Sequence, residues 1–162
     1  MERHAGQILL SSDEGHYRLR LQGDVRLTLC HLIEEQINLI CAAPELQSVA
    51  VDVGPAQGID STTLGLLAKL GLRVKSERGM AVTVYSPNPS ITRLFRSMCL
   101  QDVLDLRETA APDISGEFRL ISPDESTSLP KSTVVEAHQT LMDLSSENEA
   151  RFKELMKTLT AP

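Results

Sequence analysis

The sequence predicts an α/β fold: a mixed β-sheet of four to five strands packed against helices, followed by a C-terminal helical extension. Short apolar segments of strand length alternate with longer segments of helical periodicity from residue 7 to about 106. The strand-like segments 46–54 and 80–86 are almost continuously apolar, which is typical of strands that helices cover on both faces. The chain divides into three predicted parts: a domain at 1–107, a Pro/Ser-rich linker at 108–130 and a helical extension at 131–162.

Two strands and one helix are predicted for the N-terminal part. The segments "GQILLSS" and "HYRLRLQG" flank a turn at "DEGH", and in the second segment Tyr17, Leu19 and Leu21 alternate with polar neighbours. Residues 24–42 carry apolar side chains at helical spacing and predict an amphipathic helix that ends near Pro44.

The central part adds the strand at 46–54, a helix from residue 61, the strand at 80–86 and a shorter helix. Gly79 predicts the end of the long helix, because glycine readily adopts the left-handed conformation found there. Asn88 followed by Pro89 is typical of a helix start, with Asn88 as the cap. "DVLDL" predicts a short edge strand.

The predicted linker is rich in Pro, Ser and acidic residues, and "EFRLI" within it indicates a weak strand. Beyond it, "SSENE" separates two apolar helical stripes, and Ser146 with Glu149 matches a capping box. The apolar faces either pack on the domain or form a docking or dimerising element, since they need a cover. The two stripes comprise Val134, His138, Leu141 and Leu144, and Phe152, Leu155, Met156 and Leu159.

Composition and charge exclude several classes of partner and predict a cytoplasmic protein. The net charge is -6, the pI is about 5.2 and aromatic residues make up 3%. A phosphate backbone or an anionic membrane surface would be repelled, and few aromatic side chains are present to stack on bases. We therefore expect neither nucleic acid nor membrane as a partner. Cys30, Cys41 and Cys99 indicate reduced thiols, and the N-terminus lacks the apolar stretch of a secretion signal.

No pattern of catalytic or metal-binding residues predicts an enzyme. The four histidines, His4, His16, His31 and His138, are scattered without the spacing of metal ligands. Neither a phosphate-binding glycine loop nor a nucleophile elbow follows a strand. We expect a binding protein that uses no cofactor and no metal.

The segment "GIDSTTLGLLAKLG" at residues 58–71 is the candidate site. Asp60 or Ser61 can cap the helix that begins here by accepting a hydrogen bond from one of its unpaired backbone N–H groups. The same position suits a phosphorylated serine, because the partial positive charge of a helix N-terminus tolerates added negative charge. Capping alone and a phosphorylation switch are both compatible with this pattern.

Three segments carry a resemblance to a known family. "VAVDVGPAQGIDSTTLGLLAKLG" resembles the signature of the STAS domain of bacterial anti-sigma-factor antagonists, in which Asp-Ser follows an apolar strand. "VYSPNPSITRLFRSMCLQDVLDL" is similar to the family's Asn-Pro helix and the short strand after it, and "LRLQGDVRL" is similar to the end of strand two. The resemblance covers residues 7–107 and implies the STAS fold.

The resemblance also implies a mechanism. In the family, the unmodified antagonist binds an anti-sigma factor, often a serine kinase of the histidine-kinase-like ATPase type, and the sigma factor is released. The kinase then phosphorylates the signature serine, which corresponds to Ser61 here, and the complex separates. A metal-dependent serine phosphatase, often carrying a receiver domain, reverses the modification.

Two positions depart from the family pattern. Thr63 stands where the family usually has glycine, so we expect its Cβ to narrow the approach of a kinase, and Thr62 and Thr63 are alternative acceptors of the phosphate. Arg26 stands where an acid is common; close to Ser61 it would favour a phosphate, whereas as a solvated side chain at a helix start it would have no such role. The predicted partner-binding residues are Asp24, Arg26, Asp60, Ser61, Thr62, Thr63 and Leu64.

A second hypothesis is a structural subunit that is not phosphorylated, such as the STAS-like accessory protein that docks on the ATPase of a lipid transporter. Thr63 and the additional C-terminal helices favour it. A third, a protein that binds an apolar ligand, requires a cavity that a sequence cannot reveal.

Overall fold

A computed structural model describes residues 4–113, 116–122 and 130–162. Its strands are β1 (Gln7–Asp13), β2 (His16–Val25), β3 (Ser48–Asp52), β4 (Ala56–Ile59), β5 (Thr83–Tyr85), β6 (Asp105–Arg107) and β7 (Arg119–Ile121). Its α-helices are α1 (Cys30–Ala42), α2 (Ser61–Arg78), α3 (Pro89–Ser97), α4 (Lys131–Leu144) and α5 (Ser146–Thr160). Two short 3-10 helices lie at Leu27–Leu29 and Leu100–Asp102.

The described strands form one mixed sheet in the order β6-β5-β3-β2-β1-β7. The pairs β2–β3, β3–β5 and β5–β6 are parallel, whereas β1 is antiparallel to both β2 and β7. β4 lies off this path and pairs in parallel with the last residues of β2. The predicted α/β class is confirmed, but the sheet has seven strands in the described residues rather than four to five.

The core between the sheet and the helices is aliphatic, which agrees with the low aromatic content of the sequence. Among the largest fully buried side chains, Phe95 is accompanied by leucines and isoleucines from strands and helices. Helix α2 lies at the centre of the helical layer, since it contacts both α1 and α4. Its first residue therefore sits where the sheet, α1 and the C-terminal extension converge.

The end of β2 corrects the predicted start of the first helix. Asp24 and Val25 belong to β2 and pair with β4, whereas the sequence pattern predicted a helix from residue 24. Gly23 has a φ of 74°, and the register shifts between Gly23 and Asp24. This irregularity bends the strand without ending it, and α1 begins six residues later, at Cys30.

The predicted ends of the two central helices are confirmed. The Asp60 side chain caps the N-terminus of α2, and Gly79 ends that helix with a φ of 68° in the left-handed region. At the start of α3, the side chain of Asn88 accepts a hydrogen bond from the backbone N–H of Ser90. In each case the residue that predicted the helix end lies within a few residues of that end.

The C-terminal part is built on the same sheet. The weak strand predicted at 117–121 is present as β7, which pairs with β1. Two helices, α4 and α5, follow β7. The predicted capping box is wrong by one residue, because Ser145 rather than Ser146 accepts the hydrogen bond from the backbone N–H of Asn148.

Helices α4 and α5, called here the C-terminal hairpin, pack on the domain through α4. The backbone of Ala137 lies so close to Gly65 of α2 that a Cβ on Gly65 would overlap the carbonyl oxygen of Ala137. The apolar face of α4 is thus covered by the chain's own α2. The predicted second stripe is only partly buried, since Phe152 is buried whereas Leu155 is 39% exposed.

Candidate functional site

The candidate site is the junction between β4 and α2. β4 ends at Ile59, and the backbone N–H of Asp60 donates to the carbonyl of Val25 at 3.2 Å. Asp60 has an extended backbone, and its Oδ1 accepts a hydrogen bond from the N–H of Thr63 at 2.9 Å. Asp60 is therefore the helix cap, which leaves Ser61, the first residue of α2, free of that role.

Thr63 continues this polar contact into the core. Its Oγ1 donates to Asp60 Oδ1 at 2.8 Å and lies 3.3 Å from the Cys30 sulfur, whose S–H is then the donor of that second contact. Burial is the main cause that raises the pKa of Cys30 to about 12, so the thiol stays protonated. Because Thr63 points inward, it does not narrow the approach to Ser61 as the sequence led us to expect.

The three hydroxyls of the junction differ in exposure. Thr62 is 4% exposed and Thr63 is fully buried, whereas Ser61 is half-buried. Leu64 is also buried in the core. These positions remove Thr62, Thr63 and Leu64 from the predicted partner-binding surface of the folded chain and leave Ser61 as the least buried of the three hydroxyls.

The hydroxyl of Ser61 is hydrogen-bonded to a histidine of the C-terminal hairpin. Ser61 Oγ lies 2.8 Å from Nε2 of His138, and Nδ1 of the same ring lies 2.8 Å from the carbonyl oxygen of Val134. A carbonyl can only accept, so Nδ1 carries the proton in the neutral ring and Nε2 accepts from Ser61. His138 is 2% exposed, and its ring packs edge to face against the ring of Phe152 with the two ring centroids 4.9 Å apart.

Sequence reasoning missed this contact. It placed His138 on an apolar helical stripe and considered it a structural or solvated residue. A histidine within an apolar stripe was a usable signal, because a buried imidazole requires hydrogen-bond partners. The identity of the partner, 77 residues away, depends on how the hairpin packs.

A cleft of about 350 Å³ lies beside the junction. Asp24 and Arg26 line it from the end of β2, Asp60 from the junction and Ser90 from the start of α3. Arg26 is paired with Asp24 at 2.9 Å, and its side chain is 60% exposed. Arg26 thus shares the cleft with Asp60, but the contact to the Ser61 hydroxyl comes from His138.

Neither a metal site nor a membrane span emerges from the described residues. In 4–113, 116–122 and 130–162, no three His, Cys, Asp or Glu side chains converge as metal ligands would. None of the helices in these ranges combines the length and the apolar character needed to cross a membrane.

Fold and site together define a small mixed-sheet α/β domain that presents a serine hydroxyl at the first residue of a central helix. The family model of the STAS domain matches residues 7–111, which is more than half of the chain. The chain therefore belongs to the STAS domain family. No curated protein shows significant similarity to it.

Proposed function

We propose that this protein is an anti-sigma-factor antagonist that works by partner switching in the bacterial cytoplasm. Unmodified, it binds an anti-sigma factor that is also a serine kinase; phosphorylation of Ser61 releases it, and a metal-dependent serine phosphatase, which can carry a receiver domain, restores the binding form. The observation that carries the proposal is a half-buried serine at the first residue of α2 in a STAS domain.

The junction suits a phosphoserine at position 61. In the transfer step, Ser61 Oγ forms a bond to the γ-phosphorus of ATP, the bond from that phosphorus to ADP breaks, and the hydroxyl proton passes to a base of the kinase. The phosphate adds about -1.5 to -2 charges near the N-terminus of an 18-residue helix, where the helix dipole favours negative charge. Since Asp60 supplies the cap, modification of Ser61 removes no capping bond.

The surface beside Ser61 suits a protein partner. The cleft lined by Asp24, Arg26, Asp60 and Ser90 carries charges of both signs and contains apolar side chains from β4 and α3. A partner docked over this cleft and Ser61 would meet a new negative charge after phosphorylation. Its affinity would fall through repulsion and lost fit, without any refolding of the domain.

The test compares wild-type protein with Ser61→Ala, Ser61→Asp and, as a control, Ser90→Ala. Ser90 is exposed, lies in the first turn of α3 and lines the same cleft. Intact-mass and phosphopeptide analysis of protein from its own host is expected to show a gain of about 80 Da on Ser61, the mass of one phosphoryl group, that Ser61→Ala loses and Ser90→Ala retains.

The same four proteins are then used to capture partners. Ser61→Ala is expected to retain a serine kinase of the ATPase type, and Ser61→Asp to lose it. Phosphate on Thr62 or Thr63 would move the switch to another residue. Identical partner binding by Ser61→Ala and Ser61→Asp, with no phosphate under any growth condition, would refute the proposal.

One observation favours the second candidate function, a structural subunit that docks on the ATPase of a lipid transporter. The C-terminal hairpin covers part of α2 and engages the Ser61 hydroxyl through His138, an arrangement that requires no phosphate. Capture of an ATP-binding-cassette subunit by wild-type and Ser61→Asp protein alike would support this function over the first.

A further inference from the structure

The C-terminal hairpin is held against α2 by contacts that begin at Ser61 and continue along the helix. The close approach of Gly65 and Ala137 lies one helical turn beyond Ser61, and Lys69 pairs with Glu136 at 3.4 Å one turn further on. These contacts continue along α2 from the Ser61–His138 hydrogen bond. Any partner that needs the Ser61 side of α2 must therefore displace α4 or approach around it.

A second anchor fixes the turn of the hairpin. The Asn148 side chain is fully buried, and its Nδ2 donates to the carbonyl oxygens of Met98 and Leu141, both at 2.8 Å. The first of these bonds joins the hairpin to the domain beyond α3, and the second joins α5 to α4. The hairpin is thus attached to the domain through the middle of α4 and through the first turn of α5.

The contact between Ser61 and His138 depends on the hydroxyl proton. Ser61 donates that proton to Nε2, because Nδ1 of the ring is committed to the Val134 carbonyl. A phosphoserine has no such proton, so its oxygens would face the lone pair of a neutral imidazole. A phosphoryl group also needs space that a separation of 2.8 Å does not provide.

We propose that the C-terminal hairpin is an intramolecular gate over Ser61, with His138 as its latch. In the closed form described here, the hairpin withholds the Ser61 hydroxyl; a kinase reaches it when the hairpin opens, and phosphorylation in turn favours the open form. The inference rests on the proposed function of Ser61 as the phosphoacceptor, and it adds a regulatory element that lies outside the matched STAS region.

Hydrogen–deuterium exchange of the full chain tests the gate without any partner. Protein with Ser61 is compared with protein carrying genetically encoded phosphoserine at position 61. Exchange in α4 and α5 is expected to rise about threefold to tenfold with phosphoserine, the range that corresponds to loss of one buried hydrogen bond. Exchange in β3 and β5 should stay unchanged, which shows that the domain remains folded.

Two variants open the hairpin without modifying Ser61. Gly65→Ala places a methyl group against the Ala137 carbonyl while improving helix propensity, and His138→Leu removes the hydrogen-bond acceptor of Ser61 and fills the buried position with an apolar side chain. Both are expected to raise exchange in α4 and α5, whereas Gln139→Ala, on the exposed face of α4, is not. If Gly65→Ala also disturbs the domain outside the hairpin, His138→Leu still tests the gate.

Unchanged or slower exchange in the phosphoserine protein would overturn the gate; slower exchange would mean that a protonated His138 holds the phosphate and keeps the hairpin closed. Failure of the proposed function is distinguishable, because it consists of an absence of phosphate on Ser61 in the host. Phosphoserine is installed directly here, so the gate is tested whether or not a kinase exists.

Discussion

Asp60→Ala tests the central structural claim that one carboxylate organises the start of α2. Asp60 Oδ1 accepts from both the backbone N–H and the side-chain hydroxyl of Thr63, at 2.9 and 2.8 Å. Alanine removes this acceptor and therefore both hydrogen bonds. The helix loses its cap, and the hydroxyl of a fully buried threonine loses its hydrogen-bond acceptor.

The expected loss in the free energy of unfolding is the sum of two contributions. Loss of a helix cap costs about 0.5–2 kcal/mol. A buried hydroxyl left without its acceptor costs about 1–3 kcal/mol. We therefore expect Asp60→Ala to lower the free energy of unfolding by about 1.5–5 kcal/mol, a large share of the roughly 5–15 kcal/mol of a typical domain. Asp60→Asn keeps a side-chain oxygen and should lose about 1 kcal/mol.

Equilibrium urea unfolding, followed by circular dichroism, measures these values. Thr63→Val removes the donor, and in the double variant Asp60→Ala/Thr63→Val no hydroxyl is left unsatisfied. The double variant should therefore lose at least about 1 kcal/mol less than the sum of the single losses. Additivity of the two substitutions within about 0.5 kcal/mol would show that the Asp60–Thr63 contact does not stabilise the junction.

Three further predictions concern the buried side chains of Cys30 and Asn148. Cys30 should resist alkylation at pH 8.5 until the protein unfolds, whereas the half-buried Cys99 should react in the native state, as peptide mapping would show. Because the pKa of Cys30 is raised from 9.0 to about 12, its contribution to stability is present below pH 9 and falls as the pH rises toward 12. Cys30→Ala should therefore lose less free energy of unfolding than the wild type as the pH rises through this range. An equal pH dependence of the free energy of unfolding in the two proteins would contradict this prediction. Asn148→Ala should cost about 1–3 kcal/mol and speed amide exchange in α5, because two carbonyl oxygens lose their donor. The exposed Asn38→Ala should change stability by less than about 0.5 kcal/mol, and equal losses in both variants would refute the anchoring role of Asn148.

Features set by neighbouring residues could be predicted from the sequence. The cap at Asp60, the left-handed Gly79 and the start of α3 at Asn88 each depend on hydrogen bonds or backbone angles within one helical turn. The alternation of strands and helices also follows from local periodicity, and it led to the correct fold class. Ser61 was chosen as the candidate phosphoacceptor from its place at the helix start and from the resemblance to the STAS signature, and this role stays a prediction.

Features set by tertiary pairing could not be predicted. β4 spans four residues, Ala56–Ile59, and has no alternating pattern, so its strand conformation depends on pairing with β2. The continuation of β2 through Gly23 and Asp24 has the same cause. Cys99 has a φ of 62° and precedes a short 3-10 helix, where the chain leaves α3.

At the candidate site, too, the local features could be predicted and the tertiary contacts could not. Thr62 and Thr63 were expected to compete with Ser61, because a sequence of three hydroxyls does not reveal which one faces solvent. The first turn of α2 directs both threonines inward. Arg26 was considered as a neighbour of Ser61 from its position in the family pattern. The contact to the Ser61 hydroxyl comes instead from His138, which lies 77 residues away in the sequence and therefore could not be inferred from it.

Pairing of β7 with β1 has a consequence for how the protein behaves when shortened. β7 begins at Arg119, beyond the matched family region that ends at residue 111, and it covers the outer backbone groups of Ile8, Leu9 and Leu10. A fragment that stops at residue 111 would leave this stretch of β1 as an open edge with unpaired N–H and C=O groups. Such an edge recruits strands from other molecules, so the shortened protein should self-associate through β1. In the full chain, β7 covers that edge.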